Sequence, residues 1–128
     1  MKKIIFLITL VISNQAFSDL KKELNKSIDP LMKKVVEWRH DIHQNPELSN
    51  REYRTSKKVA NHLEALGIEV ETKIAYTGVV GLIRGELPGP TIALRADMDA
   101  LPVVEKTGLP YASKDKTKYL GQTVGIMH

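Results

Sequence analysis

The pattern of apolar residues in the first third of the chain predicts an amphipathic helix. Asp29 and Pro30 fit an N-cap followed by proline at the first helical position, so we expect the helix to begin there. Apolar side chains then recur at helical spacing, at Leu31, Val35, Trp38 and Ile42. This spacing places them on one face of a helix that must pack on another part of the fold. We expect the helix to end near Asn45 and Pro46.

A second helix is predicted directly after a short turn. Ser49 and Glu52 are separated by the spacing of a capping box at a helix N-terminus. The helical spacing of apolar residues continues through Tyr53, Ala60, Leu63 and Leu66. Gly67 follows, and glycine commonly occupies the position after the last helical turn. The sequence therefore predicts a helix that ends just before this glycine.

Three segments in the middle of the chain predict β-strands. Residues 68–74 alternate apolar and polar side chains, which is typical of a strand with one face in water, and residues 76–78 turn the chain. Residues 79–83 and 91–96 are short apolar runs on either side of a turn-rich stretch, so we expect two adjacent strands. The second run does not alternate, which indicates a strand covered on both faces, as inside an α/β sheet. The polar stretch up to Tyr119 is predicted to be a surface loop.

The N-terminal segment has the three parts of a secretory signal peptide. Lys2 and Lys3 are basic, residues 4–12 form an apolar run, and residues 13–18 form a polar stretch that ends in Ala16, Phe17 and Ser18, as at a signal peptidase site. We expect cleavage after Ser18 and delivery to the periplasm or to the outside of the cell. A bilayer span needs about 20 apolar residues, so this much shorter run argues against a permanent membrane anchor. The chain contains no cysteine, so its fold must be stable without disulfides.

Composition argues against several classes of function. The formal net charge is +4, and the removal of residues 1–18 leaves 17 basic and 15 acidic residues, a net charge of +2. This balance is too weak for a nucleic-acid-binding surface, because the lysines are interspersed with acidic residues rather than clustered with aromatic ones. The sequence contains neither a Gly-x-x-x-x-Gly-Lys phosphate loop nor a Gly-x-Ser-x-Gly nucleophile elbow. A length of 128 residues favours a single domain.

Two groups of residues are candidates for chemistry. Asp97 and Asp99 directly follow the predicted covered strand, and α/β enzymes keep reactive groups at the carboxyl ends of such strands. The same aspartates could instead be turn or cap residues. His40 and His43 are close to one helical turn apart and Glu47 follows them, so these side chains could bind zinc or could close the helix and its turn. Spacing alone leaves both alternatives open for each group.

Three stretches, taken together in their order and spacing, carry a resemblance to a known family. They are WRHDIHQNPELS at residues 38–49, TGVVG at 77–81 and GPTIALRADMDALP at 89–102, and EKTGLPY at 105–111 extends the match. From about residue 31 to residue 128, the chain resembles the N-terminal part of the amidohydrolase branch of the zinc-peptidase-like metallohydrolases. This group includes hippurate hydrolase, N-acyl-amino-acid amidohydrolases and plant auxin-conjugate hydrolases.

The resemblance implies a fold and a reaction. The fold is the N-terminal part of a three-layer α/β/α catalytic domain, with a smaller dimerisation domain inserted later in the chain. The reaction uses two divalent metal ions (zinc, manganese, nickel or cobalt) and a bridging water that attacks the amide carbonyl of an N-acyl amino acid. Asp99 matches the aspartate that supports a metal-binding histidine. Asp97 stands where related peptidases have a histidine ligand, so the resemblance gives it no metal-binding role.

Residues 19–128 are therefore expected to form the N-terminal portion of the catalytic domain, truncated before the metal-ligand motif. In the family, the segment that matches residues 125–128 continues into Ala-Cys-Gly-His-Asp, which supplies a cysteine and a histidine to the metals. The glutamates that act as general base and ligand follow later. We therefore expect this chain alone to bind no metal and to be inactive. Two alternatives remain, namely a non-catalytic exported binding or interaction fragment and a peptidase of the same superfamily.

Overall fold

The computed structural model describes the backbone of residues 2–128 and the side chains of residues 19–128. The chain divides into two compact units, Met1–Arg39 and His40–His128. The predicted signal peptide, residues 1–18, lies outside the residues whose side chains are described. In the described part of the chain, no helix combines the length and the apolar character that a membrane span requires.

Helix α1, Lys2–Gln44, begins much earlier than the sequence predicted. Pro30 lies inside the helix rather than in its first turn, so the predicted start at Asp29 is wrong. Proline in a helix interior removes a backbone donor and costs about 3 kcal/mol. The residues that precede Pro30 include the good helix formers Lys21, Lys22, Glu23 and Leu24. Their helical propensity favours a helix on the N-terminal side of the proline.

The C-terminal end of α1 agrees with the prediction and is closed by polar contacts. The last helical residue is Gln44, next to Asn45 and Pro46. The side-chain amide of Asn45 donates to the carbonyl oxygen of Asp41 at 2.8 Å, and the backbone N–H of Asn45 donates to the same oxygen at 3.2 Å. These bonds satisfy a carbonyl group in the last turn, where carbonyl groups lack the usual helical partner.

Helix α2, Tyr53–Ala65, packs on an antiparallel hairpin made of β1, Glu69–Ile74, and β2, Gly78–Leu82. These bounds confirm the second predicted helix, the alternating strand and the turn at residues 76–78. Gly67 has a φ of 75°, in the left-handed region that glycine adopts without strain, and it ends the helical segment as predicted.

The start of α2 is capped differently from the prediction. Glu52 occupies the N-cap position but makes no capping hydrogen bond with its side chain. Its carboxylate instead accepts a hydrogen bond from the hydroxyl group of Thr77 at 2.5 Å, and both residues are buried. The carboxylate of Glu47 accepts from the backbone N–H groups of residues 54 and 55, at 3.0 and 2.8 Å. The predicted capping box of Ser49 and Glu52 is therefore wrong, because Glu52 is bonded to the hairpin turn.

Residues 91–96 do not form the covered strand that the sequence predicted. The whole segment 83–99 is without strand structure, and the side chains of Ile92 and Leu94 are 83% and 97% exposed. The expectation of two adjacent strands at residues 79–83 and 91–96 is therefore also wrong, and β2 has β1 as its neighbour in a two-stranded sheet. A covered strand needs partner strands and packed layers around it, and the described residues do not provide them here.

A second antiparallel hairpin was not predicted by the sequence. Strand β3, Lys116–Tyr119, pairs with β4, Gln122–Gly125. Leu120 and Gly121 connect them and have φ values of 48° and 79°, as in a two-residue hairpin turn with positive φ at both positions. The strands are mostly polar and exposed, so their pattern resembles that of a loop.

Two isolated bridges join the segments around residue 100. Leu48 pairs with Ala100 in parallel orientation, and Leu101 pairs with Met127 in antiparallel orientation. Leu48, Ala100 and Ile126 are buried at this junction. The small core of the second unit therefore lies directly beside the predicted site residue Asp99.

Candidate active site around Asp99

Asp99 lies where three segments of the chain meet. The next residue, Ala100, is 2% exposed, and its backbone N–H donates to the carbonyl oxygen of Glu47 at 2.7 Å. Leu101 and Met127 exchange two backbone hydrogen bonds, of 2.9 and 3.1 Å. Asp99 itself is half-buried. The segment that carries Asp99 is therefore fixed both to the loop after α1 and to the segment after β4.

A cavity of about 150 Å³ lies beside Asp99. The other residues that line it are Leu48, Ser49, Arg51, Ala100, Leu101, Pro102 and Tyr119. Nη1 of Arg51 donates to the carbonyl oxygen of Lys118 at 3.0 Å, which ties the β3–β4 hairpin to this wall. A carboxylate in a cavity wall can accept a hydrogen bond from an imidazole or amide N–H group. This chemistry is compatible with the supporting role predicted for Asp99.

The two candidate aspartates have different surroundings. Oδ1 of Asp97 lies 3.1 Å from Nε and 2.9 Å from Nη2 of Arg95, and both side chains are exposed. Such an exposed ion pair contributes at most about 1 kcal/mol to stability. Of the two aspartates, Asp99 alone lines the cavity.

His43 binds a residue that the sequence did not single out. Its Nε2 atom lies 3.0 Å from both carboxylate oxygens of Glu105, and the Glu105 side chain is 0% exposed. Glu105 also accepts hydrogen bonds from the hydroxyl group of Thr107 and, at 2.5 Å, from the backbone N–H of Ser113. The hydrogen bond from Thr107 and then that from His43 lower the pKa of Glu105 to about 2.

His40 and Tyr111 form a stacked pair. Their ring centroids are 3.7 Å apart and the ring planes differ by 14°. His43 approaches the same tyrosine edge-on, at 5.8 Å and 77°. Tyr111 therefore packs against both histidines at the end of α1, and such aromatic contacts contribute about 0.5–1.5 kcal/mol beyond the burial of area.

These contacts support the second interpretation of His40, His43 and Glu47, in which they close the helix and its turn rather than bind zinc. His43 binds Glu105, His40 stacks on Tyr111, and Glu47 caps α2. Within residues 19–128, no group of three or more histidine, aspartate or glutamate side chains is arranged to hold a metal ion. The two-metal site that the resemblance implies therefore does not fit the residues of this chain alone, and we assign no catalytic step to a metal here.

A second polar cluster joins the end of α1 to α2. Arg54 Nη2 lies 2.6 Å from Oδ1 of Asp41, and Lys58 donates to Oδ2 of the same carboxylate. The hydrogen bond from Lys58 is the largest cause that lowers the pKa of Asp41, with Arg54 acting in the same direction. The side chains are 33–43% exposed, so solvent screening keeps the contribution of each pair small.

Sequence reasoning missed Glu105, Thr77 and Tyr111. Their partners are far away along the chain, at His43, Glu52 and His40. Helical or strand periodicity reports only neighbours within a few residues and contains no signal for such pairs. For Glu105 and Tyr111, the sequence offered one signal, the match of residues 105–111 to the family pattern. That match does not say which residues they contact.

The chain is similar to proteins of known or assigned activity. It is 48% identical over 111 residues to thermostable carboxypeptidase 2 of Saccharolobus solfataricus, covering 86% of this chain and 26% of the relative. It is 46% identical over 110 residues to N-acetyl-L-cysteine deacetylase of Bacillus subtilis, covering 85% of this chain and 24% of the relative. The chain thus spans about a quarter of the length of these relatives. No family model matches the chain.

A solved structure supports the fold class. The crystal structure of the Bacillus subtilis YxeP protein, described as a dinuclear metal-binding peptidase, matches 78% of this chain with a TM-score of 0.66 and 40% sequence identity. The match covers 26% of that structure. The predicted fold class is confirmed by this match, and the helices and hairpins described above are consistent with an incomplete α/β domain. The resemblance to the amidohydrolases and peptidases of the M20 family is thereby confirmed over the quarter of their length that this chain spans.

Proposed function

We propose that this chain is the N-terminal part of the catalytic domain of a metal-dependent amidohydrolase that cleaves the amide bond of N-acyl amino acids. The observation that carries the proposal is the 46% identity to N-acetyl-L-cysteine deacetylase across 85% of the chain. The name of that relative specifies an N-acyl amino acid as substrate. The resemblance of residues 89–102 to the amidohydrolase branch points in the same direction.

Asp99 is the residue of this chain that we place in the active site. Its carboxylate lines a cavity, and the backbone beside it is held by Glu47 and Met127. The proposed role is to accept a hydrogen bond from a histidine that binds a metal, which would orient the ring and raise its basicity. The histidine would come from a part of the protein that follows these 128 residues.

The chain alone is proposed to be inactive. Hydrolysis assisted by two metals needs a set of ligands and a general base. His40, His43 and Glu47 bind other parts of the chain, and Asp97 pairs with Arg95. The described residues therefore supply the proposed supporting aspartate without the ligands that it would support.

Export is also part of the proposal. The basic start, the apolar run at residues 4–12 and the polar segment up to Ser18 support removal of a signal peptide and delivery to the periplasm or outside the cell. The intact mass of the exported protein tests this. A mature protein that still begins at Met1 would contradict cleavage.

A second candidate function is peptide hydrolysis. It is favoured by the 48% identity to thermostable carboxypeptidase 2, a relative named as a peptidase. The two functions differ in what lies on the acyl side of the bond, an acyl group in one case and an amino acid in the other. A direct comparison of substrates separates them.

The test uses a restored protein, defined as this chain joined after His128 to the remaining segment of the catalytic protein. That segment comes from its own gene if the coding sequence continues, and otherwise from the Bacillus subtilis deacetylase. We expect the restored protein with zinc, manganese, nickel or cobalt to hydrolyse hippurate or N-acetyl amino acids faster than dipeptides. We expect the 128-residue chain to hydrolyse neither.

Two results would contradict the proposal. Faster hydrolysis of dipeptides by a protein restored from its own gene would favour the peptidase function. Metal-dependent hydrolysis by the 128-residue chain, abolished by a chelator, would show that the chain holds a complete site. Reading the nucleotide sequence after the codon of His128 is the first step, because Ala-Cys-Gly-His-Asp is expected there.

A further inference from the structure

Glu105 connects three parts of the second unit through one carboxylate. Its fully enclosed side chain accepts hydrogen bonds from the ring of His43 at the end of α1, from the Thr107 hydroxyl group and from the Ser113 backbone. A buried charge is tolerated when hydrogen bonds satisfy it, and removal of its partners is strongly destabilising. This carboxylate is therefore an anchor for the segments around it.

The segment anchored by Glu105 has little regular structure of its own. Residues 102–115, between the Leu101 bridge and strand β3, contain no helix and no strand. The position of such a segment depends on specific contacts rather than on a ladder of backbone hydrogen bonds. Its contacts with α1 include the His43–Glu105 hydrogen bonds, the stacking of Tyr111 on His40 and the edge-on contact of Tyr111 with His43.

Segments 43–47 and 100–105 are joined at two points. At one point the Ala100 N–H donates to the Glu47 carbonyl oxygen at 2.7 Å. At the other, Nε2 of His43 lies 3.0 Å from both oxygens of Glu105. Leu101 is also bonded to Met127, and the Glu105 contact adds the attachment that fixes the C-terminal part of this segment against α1. Asp99 stands immediately before the first attachment point.

We propose that Glu105 is a positioning residue for Asp99, which it holds in place by fixing residues 99–105 against the end of α1 through His43. The inference rests on the proposed role of Asp99 in the active site. Glu105 does not line the cavity beside Asp99, so its action is exerted through the backbone between them. Active-site groups must be held within a fraction of an ångström, and a shift of about 1 Å can cost 100-fold in rate.

The test compares Glu105→Ala and Glu105→Gln in the restored protein with Glu86→Ala as a control in an exposed loop. Glutamine keeps the shape and one carbonyl acceptor for the His43 ring, whereas alanine removes the acceptor of the His43 ring, of the Thr107 hydroxyl and of the Ser113 N–H. For Glu105→Ala we expect kcat for hippurate to fall about 10 to 100-fold. We expect KM to change by less than about threefold, because the interaction lost acts mainly in the transition state. Glu105→Gln should recover part of the loss.

A second measurement does not depend on catalysis. Hydrogen–deuterium exchange of the peptide 99–104 should be faster in Glu105→Ala than in the wild type, while exchange in helix α2 stays unchanged. An unchanged kcat, or unchanged exchange in this peptide in a folded variant, would overturn the inference. If Glu105→Ala does not fold, His43→Phe removes the same attachment from the other side, because phenylalanine keeps an aromatic ring but has no N–H donor for Glu105, and the same two measurements then apply. If the wild-type restored protein has no hydrolase activity, the proposed function fails, and the exchange measurement still decides the role of Glu105.

Discussion

The carbonyl oxygen of Glu47 accepts a hydrogen bond from the N–H of Ala100 at 2.7 Å, while the carboxylate of Glu47 caps helix α2. One residue therefore fixes the start of a helix with its side chain and the segment after Asp99 with its backbone. Because the two contacts use different atoms, a side-chain substitution can separate them. Glu47 therefore links helix α2 to the candidate active site.

The first prediction concerns this cap. Glu47→Ala leaves the backbone N–H groups of Arg54 and Thr55 and the Thr55 hydroxyl without their present partner. Loss of a helix cap costs about 0.5–2 kcal/mol. In the restored protein we expect faster hydrogen–deuterium exchange in the first turn of α2, by about 2 to 30-fold. Glu64→Ala, an exposed site on the same helix, is the control and should leave exchange there unchanged. Equal exchange in Glu47→Ala and wild type would contradict the capping role.

The second prediction is a pH dependence. Hydrogen bonds from Thr107 and His43 lower the pKa of Glu105 from 4.5 to about 2 in the folded chain. The unfolded state therefore binds this proton more readily, and the stabilisation is complete above pH 4.5 and lost as the pH falls toward 2. Asp41 acts in the same direction, because Lys58 and Arg54 lower its pKa.

The measurement is the thermal midpoint of unfolding of the restored protein and of its Glu105→Gln variant, from above pH 4.5 down to about pH 2. We expect the wild type to be the more stable protein above pH 4.5 and its advantage to shrink as the pH falls. A difference between the two proteins that is constant with pH would show that the Glu105 charge does not contribute.

The sequence could predict those elements whose signals are local. The end of α1 at Gln44, helix α2, strand β1 and the turn before β2 follow from capping, periodicity and turn residues. The start of α1 could not be predicted, because the proline signal at Pro30 competes with helix-forming residues on both sides. The polar β3–β4 hairpin carries no hydrophobic alternation, so its strands resembled a loop.

The candidate site was predictable only in part. Asp97 and Asp99 could be noted from their place after an apolar run, and only the resemblance distinguished Asp99. The hydrogen bond of His43 with Glu105 spans 62 residues, a separation at which no spacing rule applies. The covered strand at residues 91–96 was expected from its composition, but a strand forms only where partners are present to bind its backbone.

The third prediction follows from the exposure of that segment. Ile92 and Leu94 are 83% and 97% exposed, and the segment pairs with no described strand. Exposed apolar segments with unpaired backbone groups promote association. We expect the 128-residue chain made alone to bind the dye ANS, to associate on a sizing column and to unfold without a sharp transition.

A charged side chain introduced into residues 91–96 should reduce the self-association of the 128-residue chain. Leu94→Lys is expected to shift the chain toward the monomer, because a charged residue in an apolar strand opposes pairing with another chain. Thr91→Lys adds the same charge without the removal of an apolar side chain and should have the smaller effect. A monodisperse wild-type monomer with cooperative unfolding would contradict this prediction and would favour a self-sufficient binding fragment.

The most direct measurement of the central claim is the hydrolysis of hippurate and N-acetyl amino acids by Asp99→Asn in the metal-loaded restored protein. Asparagine keeps the size of the side chain but removes the charge that would support a metal-binding histidine. We expect kcat to fall about 10 to 100-fold, with the circular dichroism spectrum and thermal midpoint close to those of the wild type. Asp97→Asn is the matched control and should retain wild-type activity, since Asp97 pairs with Arg95 at the surface. Wild-type rates in Asp99→Asn would remove Asp99 from the active site and contradict the account.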